Sequence, residues 1–140
     1  MTAGSFALAF SAALSGAGLY VNLVEQPARL ALDDSALLSE WAPSDRRGVA
    51  LILGLALVSA ALGLSAYFST ADVRLALGAV FVILAWPYTF FVLAPLNNQI
   101  LSLQPRDVGA ARELVRQWGL LEWGQTAIGI IATGLYLWAL

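Results

Sequence analysis

A chain of 140 residues, 60% hydrophobic and only 11% charged, cannot cover itself with a wetted surface, since a soluble domain carries about 25% charged residues. Its formal charge of −2 is too small to suggest a nucleic-acid partner. The absence of histidine and cysteine excludes disulfides, histidine-ligated haem or copper, thiolate iron–sulfur clusters, ordinary zinc sites and histidine-dependent nucleophilic dyads. Carboxylates, amides, hydroxyls, indoles and arginine remain for chemistry. No metal or other cofactor is expected.

The apolar residues fall in four stretches, each near the roughly 20 residues a helix needs to cross a bilayer. They predict one integral membrane domain, residues 1–140, all α: an antiparallel bundle of four transmembrane helices. The first span covers about 3–24. It has no basic residue before it and no convincing processing site, so it reads as a retained helix rather than a signal peptide. Its Ser11, Ser15, Gly16 and Gly18 are small residues that let helices approach closely in lipid. "YVNLVEQPAR" ends the span, and the spacing of Asn22, Glu25 and Arg29 sets all three on one helical face.

A polar connection from Glu25 to Arg47 follows. Within it "DDSALLSEWAP" predicts a short surface helix, with Asp33 or Asp34 as N-cap and Trp41 at the headgroups. The second span is about 48–68. After "STADVR", a turn in which Thr70 or Asp72 caps the next helix, the third span runs about 73–93. "WPYTFFVLAPLNNQ" predicts a kink near Ile83 to Pro87, because Pro87 lacks an N–H and crowds the carbonyl four residues back. Thr89 can bond back to the opened turn. Pro95 is expected to end the helix, leaving Asn97 and Asn98 at the membrane edge. "PRDVGAARELVRQW" predicts an interfacial helix capped by Asp107, leading into a fourth span at about 120–140.

Six arginines lie in the two long connections and Arg74 alone lies in the short one. The positive-inside rule then places the long connections in the cytoplasm and both termini outside, in a multi-pass cell-membrane protein. The same rule of alternation brings the polar residues to one membrane face. A pocket is expected there, lined by Asn22, Glu25, Trp86, Tyr88, Asn97, Trp118, Glu122 and Gln125. Glu122 stands out. An ionisable side chain in lipid costs about 2.5–3.5 kcal/mol even on lenient scales, so it should face the bundle interior or a wet cavity. Glu122 and Glu25 are the catalytic candidates, dividing acid and base roles by their different environments. Asn22, Trp86, Tyr88, Asn97, Trp118 and Gln125 are the substrate-binding candidates. The competing structural reading pairs Glu122 with an arginine that clamps the bundle.

In their order, "YVNLVEQPAR", "WPYTFFVLAPLNNQ" and "RELVRQWGLLEWGQTAIG" resemble the small four-helix membrane proteins grouped with anthrone oxygenases, from about Gly18 to Gly134. The resemblance implies oxidation of an anthrone to an anthraquinone by dioxygen without an obvious cofactor. Asn22, Glu25, Pro27, Pro95, Asn97 and Trp118 match the family's motifs. Glu122 and Gln125 stand where the family commonly has histidine and arginine. An acid and an amide there favour carboxylate acid–base chemistry on a lipophilic biosynthetic intermediate: cyclisation, isomerisation or epoxide opening. Anthrone-type oxygenation is the alternative, and a non-catalytic membrane subunit or binder is the third. The expected partners are a lipophilic small molecule and the bilayer, with a homo-oligomer left open.

Overall fold

The computed structural model describes residues 2–140, and among these there are four helices and no strand. Helix α1 runs Ala3–Leu30, α2 Asp34–Thr70, α3 Val73–Leu101 and α4 Ala111–Ala139. The first three are long and apolar enough to cross a membrane. In α4 the polar Glu122, Gln125 and Thr126 dilute an otherwise apolar run.

Cap chemistry fixes where the helices begin. The Asp33 carboxylate accepts the Ala36 N–H at 2.8 Å, so α2 starts at Asp34. Ala71, with φ 59°, takes the left-handed conformation that closes α2 and turns the chain. Asp72 then accepts the Arg74 N–H at 3.0 Å and starts α3. Asp107 caps nothing in this way: Pro105–Ala110 form a 3-10 turn and α4 follows without a side-chain cap. Arg112, one residue into α4, donates instead to the Leu30 and Leu32 carbonyls at the end of α1 and to Asp34.

Three expected helix boundaries are corrected. The segment from Glu25 to Arg47 is not a loop with a short separate helix, because α1 continues through Pro27 to Leu30 and α2 passes unbroken through Pro43. Neither does Pro95 end α3, which continues to Leu101. The reason is visible in the backbone. Val21–Glu25 and Thr89–Leu93 are single wide turns, in which the Gln26 N–H reaches Val21 O and the Ala94 N–H reaches Thr89 O, five residues back. Each wide turn precedes a proline, Pro27 or Pro95. The extra residue gives the ring room past the carbonyl it would otherwise strike. Pro87 acts as expected: the helix tightens at Leu84, resumes at Ala85, and Thr89 Oγ1 donates to Ala85 O at 2.8 Å.

In the resulting bundle α1 and α3 each pack against both α2 and α4. The core has three layers. At one end Gly63 and Gly78 flank the Tyr136 ring, whose hydroxyl donates to Ser59 O at 3.1 Å. Leu14, Ile52, Ala56, Ala79, Val82 and Ala132 fill the middle. At the other end Trp41 packs edge-on against Trp118, their centroids 5.9 Å apart. Trp41 is therefore a buried core residue rather than a headgroup anchor. Large apolar side chains such as Phe68 and Phe91 project outward, about 80% exposed, as a lipid-facing surface requires.

Candidate active site

The wide turn in α1 sets four polar side chains over α2 and α4. Asn22 donates to Gly119 O at 3.1 Å and accepts from Thr126 Oγ1 at 2.7 Å. One turn on, Gln26 donates to Val115 O at 2.9 Å. A Cβ on Gly119 would come within 2.4 Å of the Gln26 amide, so only glycine permits this approach. Glu25 and Arg29 turn toward α2. Arg29 is 2% exposed and holds Glu40 through Nε at 2.7 Å and Nη2 at 3.1 Å. Its Nη2 also meets Glu25 and Ser44, and its guanidinium carbon lies 5.3 Å from the Trp118 ring centre. The Ser44 hydroxyl donates to Glu25. A buried cation with two carboxylates, a hydroxyl and a π face is well compensated.

Beside this cluster lies a cavity of about 580 Å³, a volume suited to a small molecule. Ala17, Tyr20, Val21 and Glu25 of α1 form one wall. The facing wall is α2, from Glu40 through Ser44, Asp45 and Gly48 to Ile52. Thr89 and Leu93 of α3 and Trp118, Glu122 and Gln125 of α4 close the base. Both wide turns contribute to it, Val21 and Glu25 from one and Thr89 and Leu93 from the other.

The base carries unsatisfied polar atoms. Gln125 is 2% exposed, and its Nε2 donates to Thr89 Oγ1 at 3.2 Å while its Oε1 has no partner. The orientation of that amide is fixed, because the Thr89 hydroxyl proton is already given to Ala85 O and its oxygen can only accept. The buried Trp118 Nε1 is likewise unpartnered. Glu122 is buried on the cavity wall, and no arginine pairs with it among the described residues; the buried Arg29 is committed to Glu25 and Glu40. Asp45 accepts the Asn97 amide on both carboxylate oxygens, at 3.2 and 3.1 Å.

Of the residues singled out by sequence, Glu25, Trp118, Glu122 and Gln125 line the cavity. The other four lie behind its walls. Asn22 ties α1 to α4, and Trp86 donates to Leu53 O at 3.1 Å. Tyr88 donates to Leu121 O at 2.6 Å, and Asn97 holds Asp45. Sequence reasoning passed over Asp45, Ser44 and Glu40, having assigned them to a connection. Their signal is the spacing of Trp41, Asp45, Gly48 and Ile52, which share a face once α2 is read as one helix.

A family model described as anthrone oxygenase matches residues 41–135, more than half of the chain. The chain belongs to the anthrone oxygenase family. No curated protein and no solved structure matches it. The family assignment and the three long apolar helices together make it a membrane-associated protein of an enzyme family. The part shared with the anthrone oxygenase model contains Asp45, Asn97, Trp118, Glu122 and Gln125, and hence both free carboxyl groups of the cavity. Asn22, Glu25 and Arg29 precede it.

Proposed function

We propose that the chain is a membrane-embedded enzyme that moves a proton on a lipophilic carbonyl compound, with the Glu122 carboxyl as its acid–base group. The observation that carries this reading is a buried carboxyl on a cavity wall with no cationic partner among the described residues, beside an open acceptor at Gln125 and an open donor at Trp118. A side chain kept only to clamp helices would be expected to have its charge matched, as Arg29 does. Burial of an unmatched carboxyl is costly, and proton transfer is what such a group does well. Removing a proton beside a carbonyl gives an enolate, the common first step of isomerisation and of many cyclisations.

A second reading follows from the family. An anthrone methylene is acidified by two flanking rings and the distant ketone, so the same proton removal yields an electron-rich enolate. Handed to dioxygen, that enolate becomes a quinone, the methylene and O2 giving a carbonyl and water. Both readings need Glu122. They part only at what consumes the enolate.

In the bilayer all four helices cross in alternating directions, with the cavity near the cytoplasmic face. Arg46, Arg47, Arg106 and Arg116 are exposed at the cavity end, and Arg74 is at the other, which supports that orientation. Helix α2 is roughly 55 Å long at 1.5 Å per residue, so its first turns extend past a hydrocarbon core of about 30 Å. A cysteine placed at position 107 of this cysteine-free chain is expected to resist an impermeant reagent applied to intact cells; labelling from outside reverses the orientation.

The function is tested with purified protein in nanodiscs and anthrone as substrate. Under nitrogen in D2O the protein is expected to speed deuterium entry into the methylene, read by mass spectrometry. Under air, oxygen uptake with anthraquinone formation supports the oxygenase reading. Exchange without uptake supports the non-redox one. Neither exchange nor uptake with anthrone or other lipophilic carbonyl compounds, from a protein that is folded, leaves a non-catalytic binder.

A further inference from the structure

Among the described residues, two carboxyl groups of the cavity have no arginine bonded to them, Glu122 on α4 and Asp45 on α2. Glu25, the other acid on its α1 wall, is engaged by Arg29 and the Ser44 hydroxyl. The two free acids differ in what surrounds them. Both oxygens of Asp45 accept from the Asn97 amide. The Trp118 indole N–H, on the same cavity lining, has no hydrogen-bond partner among the described residues. No N–H or O–H donor and no cation bonds to the Glu122 carboxyl among the described residues; Asp45 lies on the α2 wall of the same cavity. Donors aimed at a carboxylate stabilise its charge, while an undonated buried carboxyl is held more cheaply with its proton.

We infer that the two acids divide the proposed reaction, with Asp45 as the base that takes the carbon-bound proton and Glu122 as the acid that gives its proton to the carbonyl oxygen. This rests on the proton-transfer reading above and assigns the partner that reading lacks. Asp45 takes the proton. The C–H electron pair forms the new C=C bond, the carbonyl π pair moves to oxygen, and oxygen receives the Glu122 proton. The product is a neutral enol, and one negative charge has passed from Asp45 to Glu122. Return of the Asp45 proton to a different carbon, with the O–H proton going back to Glu122, completes an isomerisation. Exchange of the Asp45 proton with solvent before return gives deuterium exchange instead.

The test is methylene exchange of anthrone in D2O under nitrogen, with variants in nanodiscs. Asp45→Asn keeps an oxygen for Asn97 and removes the base. It is expected to lower the catalysed rate by roughly 10²–10⁴-fold, with anthrone still quenching tryptophan fluorescence at wild-type concentrations. Glu113→Gln, on the exposed face of α4, serves as the unchanged control. Asp45→Ala opens room for a small carboxylate, and added formate is expected to restore part of its exchange while doing nothing for Glu122→Gln. Wild-type exchange by Asp45→Asn, with Glu122→Gln slow, overturns the assignment of Asp45 alone. Wild-type exchange by Glu122→Gln overturns the parent reading. Should Asp45→Asn unfold, failure of formate to revive folded Asp45→Ala overturns the proposal equally.

Discussion

The two ends of this bundle are built on opposite principles. Around Tyr136 the helices close on one another, with two glycines against a single ring and its hydroxyl satisfied by Ser59. Around Trp118 they stand apart by a cavity of about 580 Å³, and buried polar atoms are left open. Close packing is the default for a protein interior. A membrane bundle gains nothing from an unfilled, partly polar space, so the open end has to be held open. The Arg29 cluster bridges α1 and α2 beside that space, and residues of both wide turns line it. The two ends differ in packing, and substitutions at them should have different consequences for stability and for ligand binding.

The largest stability effect is expected at the strut of the open end. Arg29→Met leaves Glu25, Glu40 and Ser44 without their shared donor. Removing one partner of a buried charge cluster costs roughly 3–5 kcal/mol, and the lower figure applies here because both glutamates keep part of their water. A melt in detergent measures it. At the closed end, Gly78→Ala places a Cβ 2.7 Å from the Tyr136 ring, which Gly63 and Ser59 prevent from retreating. Overpacking of this kind costs about 1–3 kcal/mol, and turnover per folded molecule should stay at the wild-type value.

Gly48→Leu sharpens the comparison by moving the two properties in opposite directions. Gly48 lines the cavity and a Cβ there meets nothing within 4 Å. Replacing a helical glycine should raise stability by up to about 1 kcal/mol, while the side chain fills the space a substrate needs. Titration with anthrone should show weaker binding and lower kcat/KM beside a raised melting temperature. If binding survives intact, the ligand sits elsewhere. The smallest effect belongs to Asp72, which caps α3 and pairs with Arg74 at the closed end. The Arg74 guanidinium, by hydrogen bonding, holds the Asp72 carboxyl below the ordinary carboxylate range. A depressed folded value means its contribution is complete above the unfolded carboxylate value and is lost as pH falls through the folded one. Asp72→Asn should therefore lower the melting temperature slightly at neutral pH and not at all in strong acid, where wild type has lost the same interaction.

The closed end was largely legible from sequence, because apolar runs, turn residues and an Asp72 cap act locally. Glu122 and Gln125 were legible too, since their spacing on an apolar helix is a local pattern. The open end was obscured by its prolines. Pro27, Pro43 and Pro95 each signal a helix end, and whether a wide turn or tertiary contacts carry the helix onward depends on residues far away in the chain. Reading the polar stretch from Glu25 to Arg47 as a connection put Trp41 in a surface helix and Asp45 outside the span. Arg29 was counted toward topology because sequence shows its charge but not the two glutamates and the indole that surround it.

The central claim is that Glu122 is retained for chemistry and not for holding helices, and paired measurements on Glu122→Gln test it most directly. Shape and an acceptor oxygen are kept while the titrating proton is removed. Turnover of anthrone should fall by roughly 10²–10⁴-fold, and the melting temperature in detergent should hold or rise, since a neutral amide is the easier group to bury. A variant that melts early yet turns over normally would make Glu122 a clamp and contradict the account.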